Sequence, residues 1–281
     1  MSARPRWERF GGSGPPLLFA HANGFPPGCY RRLLRALAEE HTVIAALHAP
    51  LWSNEPAPRV APWGRFAADL LDTLDALALP EPVVAVGHSL GGTTLALAAA
   101  RAPERFAALA LLDPVLIRPA HTVIYNLGTW LLPRKRALLR ATRRRRDHWP
   151  DRAAAFANLR DKGLFRGVDD EGLRDCVDAM VEEAPPGGVR LRFPKAWEAA
   201  IFARGPWAWG ALAALTRRGP PLLAVRATRS NLLLDPVWRH WRSVSPGATF
   251  AELPGSHLVP IEAPDATAAT VGAFLAQLRR G

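Results

Sequence analysis

Cysteine is nearly absent from this chain. The two present, Cys29 and Cys176, are too few for a disulfide framework and lack the paired spacing of a metal knuckle. Lysine is as scarce: only Lys135, Lys162 and Lys195 among 36 basic residues. No apolar run approaches the roughly 18–20 residues that cross a bilayer. The opening MSARPRWERF has no apolar stretch of the secretory kind, so a cytoplasmic location is expected. No His-Glu-x-x-His pattern occurs, which argues against a metal site, and no repeat recurs at 20–50-residue spacing.

What is present suits one large α/β domain, or a core carrying an inserted subdomain: 281 residues, 49% of them hydrophobic. The net charge of +11 comes almost entirely from arginine, spread along the chain with alanine as a compositional bias. One cluster stands out, RKRALLRATRRRR at 134–146. It reads as a solvated helical face, or as a patch for an anionic ligand or a membrane surface. It lacks the interleaved aromatics of a single-strand binder, so no nucleic-acid partner is expected.

Short apolar runs alternate with longer helical stretches. Strands are expected at 15–22, 42–50, 82–89, 106–114, 220–228 and 248–256. Helices are expected at 30–40, 65–79, 93–103 and about 264–280. Continuous apolar strands alternating with helices predict a mostly parallel sheet covered on both faces. The alternation stops between about 117 and 213, an Arg- and Trp-rich segment with no convincing strand. It reads as a helical insertion at one edge of the core.

VVAVGHSLGG contains Gly87-His88-Ser89-Leu90-Gly91, a G-x-S-x-G pattern between a β-branched strand and a helix-forming run. Such a turn holds a serine in a strained conformation with its hydroxyl clear of the sheet. The Leu90 N–H then stands at a helix N-terminus, where it can meet a developing oxyanion. A serine nucleophile needs a base, and GSHLVPIEAPD places His257 just past the last strand. HANGF (21–25) follows the first apolar strand and offers a second backbone N–H, that of Asn23, or of Gly24 or Phe25 in a shifted register. His21 reads as a residue that shapes this loop.

In their order, HANGFPPG, GHSLGG, LLAVRATRSN and GSHLVPIEAPD resemble the α/β-hydrolase superfamily, and more narrowly its capped bacterial serine esterase and lipase-like members. The resemblance implies an eight-stranded, mostly parallel sheet flanked by helices. Residues 1–116 and 214–281 would form the core and 117–213 the helical cap. It also implies Ser89 as nucleophile, His257 as base, a carboxylate partner and no cofactor. The substrate would be a small molecule with an apolar acyl group, bound near cap aromatics such as Trp130, Trp149, Trp197, Trp207 and Trp209; the oligomeric state is left open.

The carboxylate poses a problem. Relatives carry it in a G-x-x-S-D pattern, whereas this chain reads Ala227-Thr228-Arg229-Ser230-Asn231. An amide supplies no charge for an imidazolium, and an Asp-to-Asn change in a serine protease costs about 10⁴ in turnover. Three readings remain. Asp113, at the end of the strand after the elbow, takes the role, as at the equivalent strand end of many haloalkane dehalogenases. Asp235, four residues past Asn231, swings in. Or no acid serves His257, and the protein is a weak hydrolase or a scaffold that binds a ligand without turnover. The leading expectation is hydrolysis of an ester, thioester or lactone through an acyl-enzyme, with C–C bond hydrolysis by the same residue types as the alternative.

Overall fold

The computed structural model describes residues 7–79, 81–127 and 132–280, so Trp130 lies outside the described residues. Numbered along the chain, the strands are β1 (Trp7–Gly11), β2 (Pro16–Ala20), β3 (Thr42–Ala46), β4 (Val83–His88), β5 (Phe106–Leu112), β6 (His148–Trp149), β7 (Val181–Glu183), β8 (Val189–Leu191), β9 (Leu222–Ala227) and β10 (Thr249–Leu253). Seven of them build the main sheet in the order β1-β3-β2-β4-β5-β9-β10. Every ladder in it is parallel except that of β1, which runs antiparallel to β3.

Side chains alternate along each strand, and here both sets are apolar. Leu17, Phe19, Val43, Ala45 and Val86 meet the layer of α1 (Arg31–Leu37), α11 (Val259–Glu262) and α12 (Pro264–Leu278). Leu18, Ala20, Ile44, Ala46 and Ala85 meet α2 (Trp63–Leu77), α3 (Leu90–Ala99), α9 (Trp209–Arg218) and α10 (Asp235–Val244). A sheet of continuous apolar strands is stable only when both faces are covered in this way.

Two expectations need correction. The main sheet has seven strands among the described residues, not eight. The segment 117–213 is mostly helical but not free of strands. Between α4 (Pro119–Leu127), α5 (Pro133–Arg144), α6 (Arg152–Arg160), α7 (Asp170–Met180) and α8 (Lys195–Phe202) it holds a small antiparallel sheet, β6-β8-β7. Those strands are two or three residues long, too short to show a period of two. This segment packs onto the core where the Cys29 thiol meets the Cys176 carbonyl of α7 at 4.0 Å; both cysteines are free and buried. The border expected at 213/214 falls inside α9, whose Leu212 and Leu215 share a cluster with Leu95 and Ala99 of α3.

The crossing of β4 into α3 sets the position of the site. A Cβ on Gly91 would stand 2.1 Å from the Ala20 carbonyl oxygen, and one on Gly87 would stand 2.7 Å from the Gly91 backbone. Neither contact is a flexible side-chain end, so the chain can yield only by moving the strand or the helix. We expect Gly91→Ala to destabilise by about 3 kcal/mol or more. Thermal unfolding of the purified variant checks this, and an unchanged midpoint would contradict the close-approach argument.

Candidate active site

The candidate groups gather at the C-terminal ends of the parallel strands, where open α/β sheets leave a crevice. Ser89 follows β4, Asp113 follows β5, the 228–231 loop follows β9 and His257 follows β10. Among the described residues only three non-glycine residues have positive φ: Ala78, Ser89 (54°) and Asp113 (41°). Two of the three belong to the site. Such backbone costs of order 1–3 kcal/mol each and persists where the surroundings impose it.

His257 joins the two strand ends. Its Nε2 lies 2.9 Å from Ser89 Oγ and its Nδ1 lies 2.6 Å from Asp113 Oδ2. Asp113 is fully buried. Its Oδ1 accepts the Ala227 N–H at 3.0 Å, and its Oδ2 also accepts the Ser230 hydroxyl at 2.5 Å. Asp235 is elsewhere: it opens α10 with its side chain 65% exposed and bonded to Arg226. That hydrogen bond and the guanidinium charge hold its carboxyl below the usual range. Asn231 is exposed at the wall of the cavity beside Ser89.

Several residues that no motif marked hold these loops. Neutral His88, fully buried, donates from Nε2 to the His257 carbonyl at 2.8 Å, because a carbonyl can only accept. Its Nδ1 therefore accepts the Tyr30 hydroxyl at 2.8 Å, and the Tyr30 oxygen in turn accepts the Ala22 N–H at 3.2 Å. Burial, reinforced by the neighbouring His257, keeps His88 well below the usual histidine range. His48 donates to the His21 carbonyl at 2.8 Å, and its own N–H reaches His21 Nε2 at 3.2 Å. Burial pushes His48 down to about 4. His88 and His48 are thus held neutral, each tied to the HANGF loop by hydrogen bonds.

In that loop the Ala22 N–H is taken by Tyr30 and the Phe25 N–H by the Ala22 carbonyl at 3.2 Å. Phe25 therefore drops out as a donor to a ligand, and Asn23 and Gly24 remain. Asn23 and Leu90 both line the cavity beside Ser89 and His257. This cavity, about 680 Å³, is mostly apolar and runs beneath α4, α5 and α8. Of the tryptophans expected there, Trp149 lines it, joined by Phe165 and Phe202; Trp197 is buried among Phe66 and Ile201, and Trp207 and Trp209 are not part of its lining. Among the described residues no cluster of three or more histidines, cysteines and carboxylates could hold a metal ion.

Residues 17–270 match the model of the alpha/beta hydrolase family. The chain belongs to that family. It is 37% identical over 106 residues to a Mycobacterium phage D29 protein provisionally named a non-heme haloperoxidase. It is 36% identical over 101 residues to a rice (Oryza sativa subsp. indica) protein provisionally named the esterase PIR7A. Each match covers little more than a third of either chain: 36% and 37% for the phage protein, 35% and 38% for the rice protein. In fold it is similar to E-2-(acetamidomethylene)succinate hydrolase, with a TM-score of 0.78, 21% identity, and 96% of this chain and 94% of that one covered.

One wall of the cavity is charged. Arg145 Nη1 lies 3.1 Å from Oε1 and 2.8 Å from Oε2 of Glu198, whose backbone carbonyl accepts the Asn23 side-chain amide at 3.2 Å. Burial pushes the Glu198 carboxyl up to about 7, with Arg145 pulling the other way. The native state therefore binds the proton more tightly than the unfolded chain. Stability contributed by protonated Glu198 is full below about 4.5 and declines as pH rises towards 7, by on the order of 3 kcal/mol in all. We expect the thermal midpoint to fall from pH 5 to pH 8, and to fall less in Glu198→Gln. Parallel slopes would contradict the assignment.

Proposed function

We propose that the protein is a serine hydrolase that cleaves a carboxylic ester through an acyl-enzyme. The observation that carries the reading is the Ser89–His257–Asp113 chain of 2.9 Å and 2.6 Å contacts. His257 Nε2 takes the Ser89 proton as Oγ attacks the substrate carbonyl. Asp113 holds the Nδ1–H tautomer and balances the imidazolium. The backbone N–H groups of Leu90 and Asn23 receive the oxyanion, Leu90 from the first turn of α3, where an amide has no intrahelical acceptor. The imidazolium protonates the leaving alkoxide. Water, deprotonated by His257, then releases the acid.

Nothing in these steps calls on a cofactor. The segment 117–213 serves as the cap in this reading, and its apolar cavity favours an acyl group over a polar one. The names of the esterase-like relatives support the same class of reaction. Asn231 does not weaken the reading, because the acid acts from the end of β5.

Incubation with a p-nitrophenyl ester tests it. We expect a burst of nitrophenol and a mass increase of one acyl group on the Ser89 peptide. Ser89→Ala should lose the burst and about 10⁴ or more of the turnover. Acylation of another residue, or turnover retained in Ser89→Ala, would contradict the proposal.

A further inference from the structure

Among the described residues, eleven large apolar side chains are exposed, and eight of them sit on segments that border the cavity. Leu138, Leu164 and Leu232 are 41%, 49% and 39% exposed and also line it, so they stand at its mouth. On α4, which gives Tyr125 to the cavity wall, Leu127 is 71% exposed. Trp207, 60% exposed, directly follows the wall residue Pro206. Scattered exposed leucines are ordinary, but a collection around one opening is not.

The helix α5 places charge beside this rim. It gives Leu138, Ala141 and Thr142 to the cavity. At about 100° per residue, Arg134, Arg144 and Arg140 follow round the helix within about 160° of Leu138. All three are exposed, and none forms an ion pair among the described residues. The three arginines thus carry no ion pair and line no part of the cavity; they stand in solvent on the helix that forms one side of its mouth.

We propose that this face docks on an anionic lipid bilayer, with the cavity mouth against the membrane. The apolar rim would enter the interfacial region while the arginines meet the headgroup phosphates, the arrangement of surface-bound proteins. A soluble polyanion would satisfy the arginines and leave Leu127 and Trp207 in water. A neutral apolar partner would do the reverse. An anionic bilayer matches both. Among the described residues no helix is long and apolar enough to cross a membrane, so the contact is peripheral. The inference goes beyond the ester reading: hydrolysis of a soluble ester reports the site, and vesicle binding reports the face.

Co-sedimentation with vesicles tests it, comparing phosphatidylglycerol in phosphatidylcholine against phosphatidylcholine alone. Wild type should bind the anionic vesicles, release in high salt and ignore the neutral ones. A triple Arg134→Glu, Arg140→Glu, Arg144→Glu variant should partition on the order of 100-fold more weakly. A Leu127→Ser, Trp207→Ser variant should also bind more weakly. Both should keep wild-type turnover of a soluble ester, which shows that they fold. No binding by wild type, or equal binding to both vesicles, overturns the proposal. So does a Leu127/Trp207 variant that binds like wild type, which would mark the partner as a soluble polyanion. A change in that variant's self-association without vesicles, with membrane binding unaltered, would assign the rim to a subunit interface instead.

Discussion

A fully buried carboxylate is stable only if its oxygens are occupied, and Asp113 meets that condition from three directions. The Ala227 N–H comes from the end of β9, the Ser230 hydroxyl from the loop beyond it, and the His257 ring from the loop after β10. One side chain at the end of β5 therefore fixes two neighbouring loops. Removing its side chain would take the shared acceptor from the Ala227 N–H, the Ser230 hydroxyl and the His257 ring at once. The positive φ of Asp113 fits this arrangement: the strand ends abruptly to bring the carboxylate under the imidazole.

The opposite side of the site is held by histidines that carry no charge. His88, inside the elbow, ties the backbone of His257 to Tyr30 and through it to Ala22. His48 bonds to both the ring and the carbonyl of His21, the first residue of the same loop. Burial keeps all three neutral, so each offers one donor and one acceptor in a defined direction. The HANGF loop, the turn around Ser89 and the loop carrying His257 are thereby linked without placing a competing cation beside His257.

Much of this was legible in the sequence because it is local. Ser89 announces itself through strand, glycines and helix within a dozen residues, and His257 through a strand end before a helix. The parallel sheet followed from central strands that are apolar at nearly every position. Asp113 was legible only as one of three readings, because nothing local tells a strand-end acid from a turn residue before Pro114. Ser230 was visible in the run that lacks the usual acid, yet its role depends on a partner 117 residues away. Tyr30, His48 and His88 escaped for the same reason. The edge strand β1 escaped because WERFG is short and half exposed, and gains its identity only by pairing with β3. Glu198 and Arg145 are 53 residues apart and meet only when α8 packs on α5.

In the proposed mechanism Asp113 is the acid that serves His257, despite an asparagine at the familiar position. The most direct test is the rate of fluorophosphonate labelling of Ser89 in wild type, Asp113→Asn and Asn231→Asp. We expect fast labelling in wild type, a collapse of about 10⁴ in Asp113→Asn, and no gain in Asn231→Asp. Labelling untouched in a folded Asp113→Asn variant, or strong activation by Asn231→Asp, would contradict it.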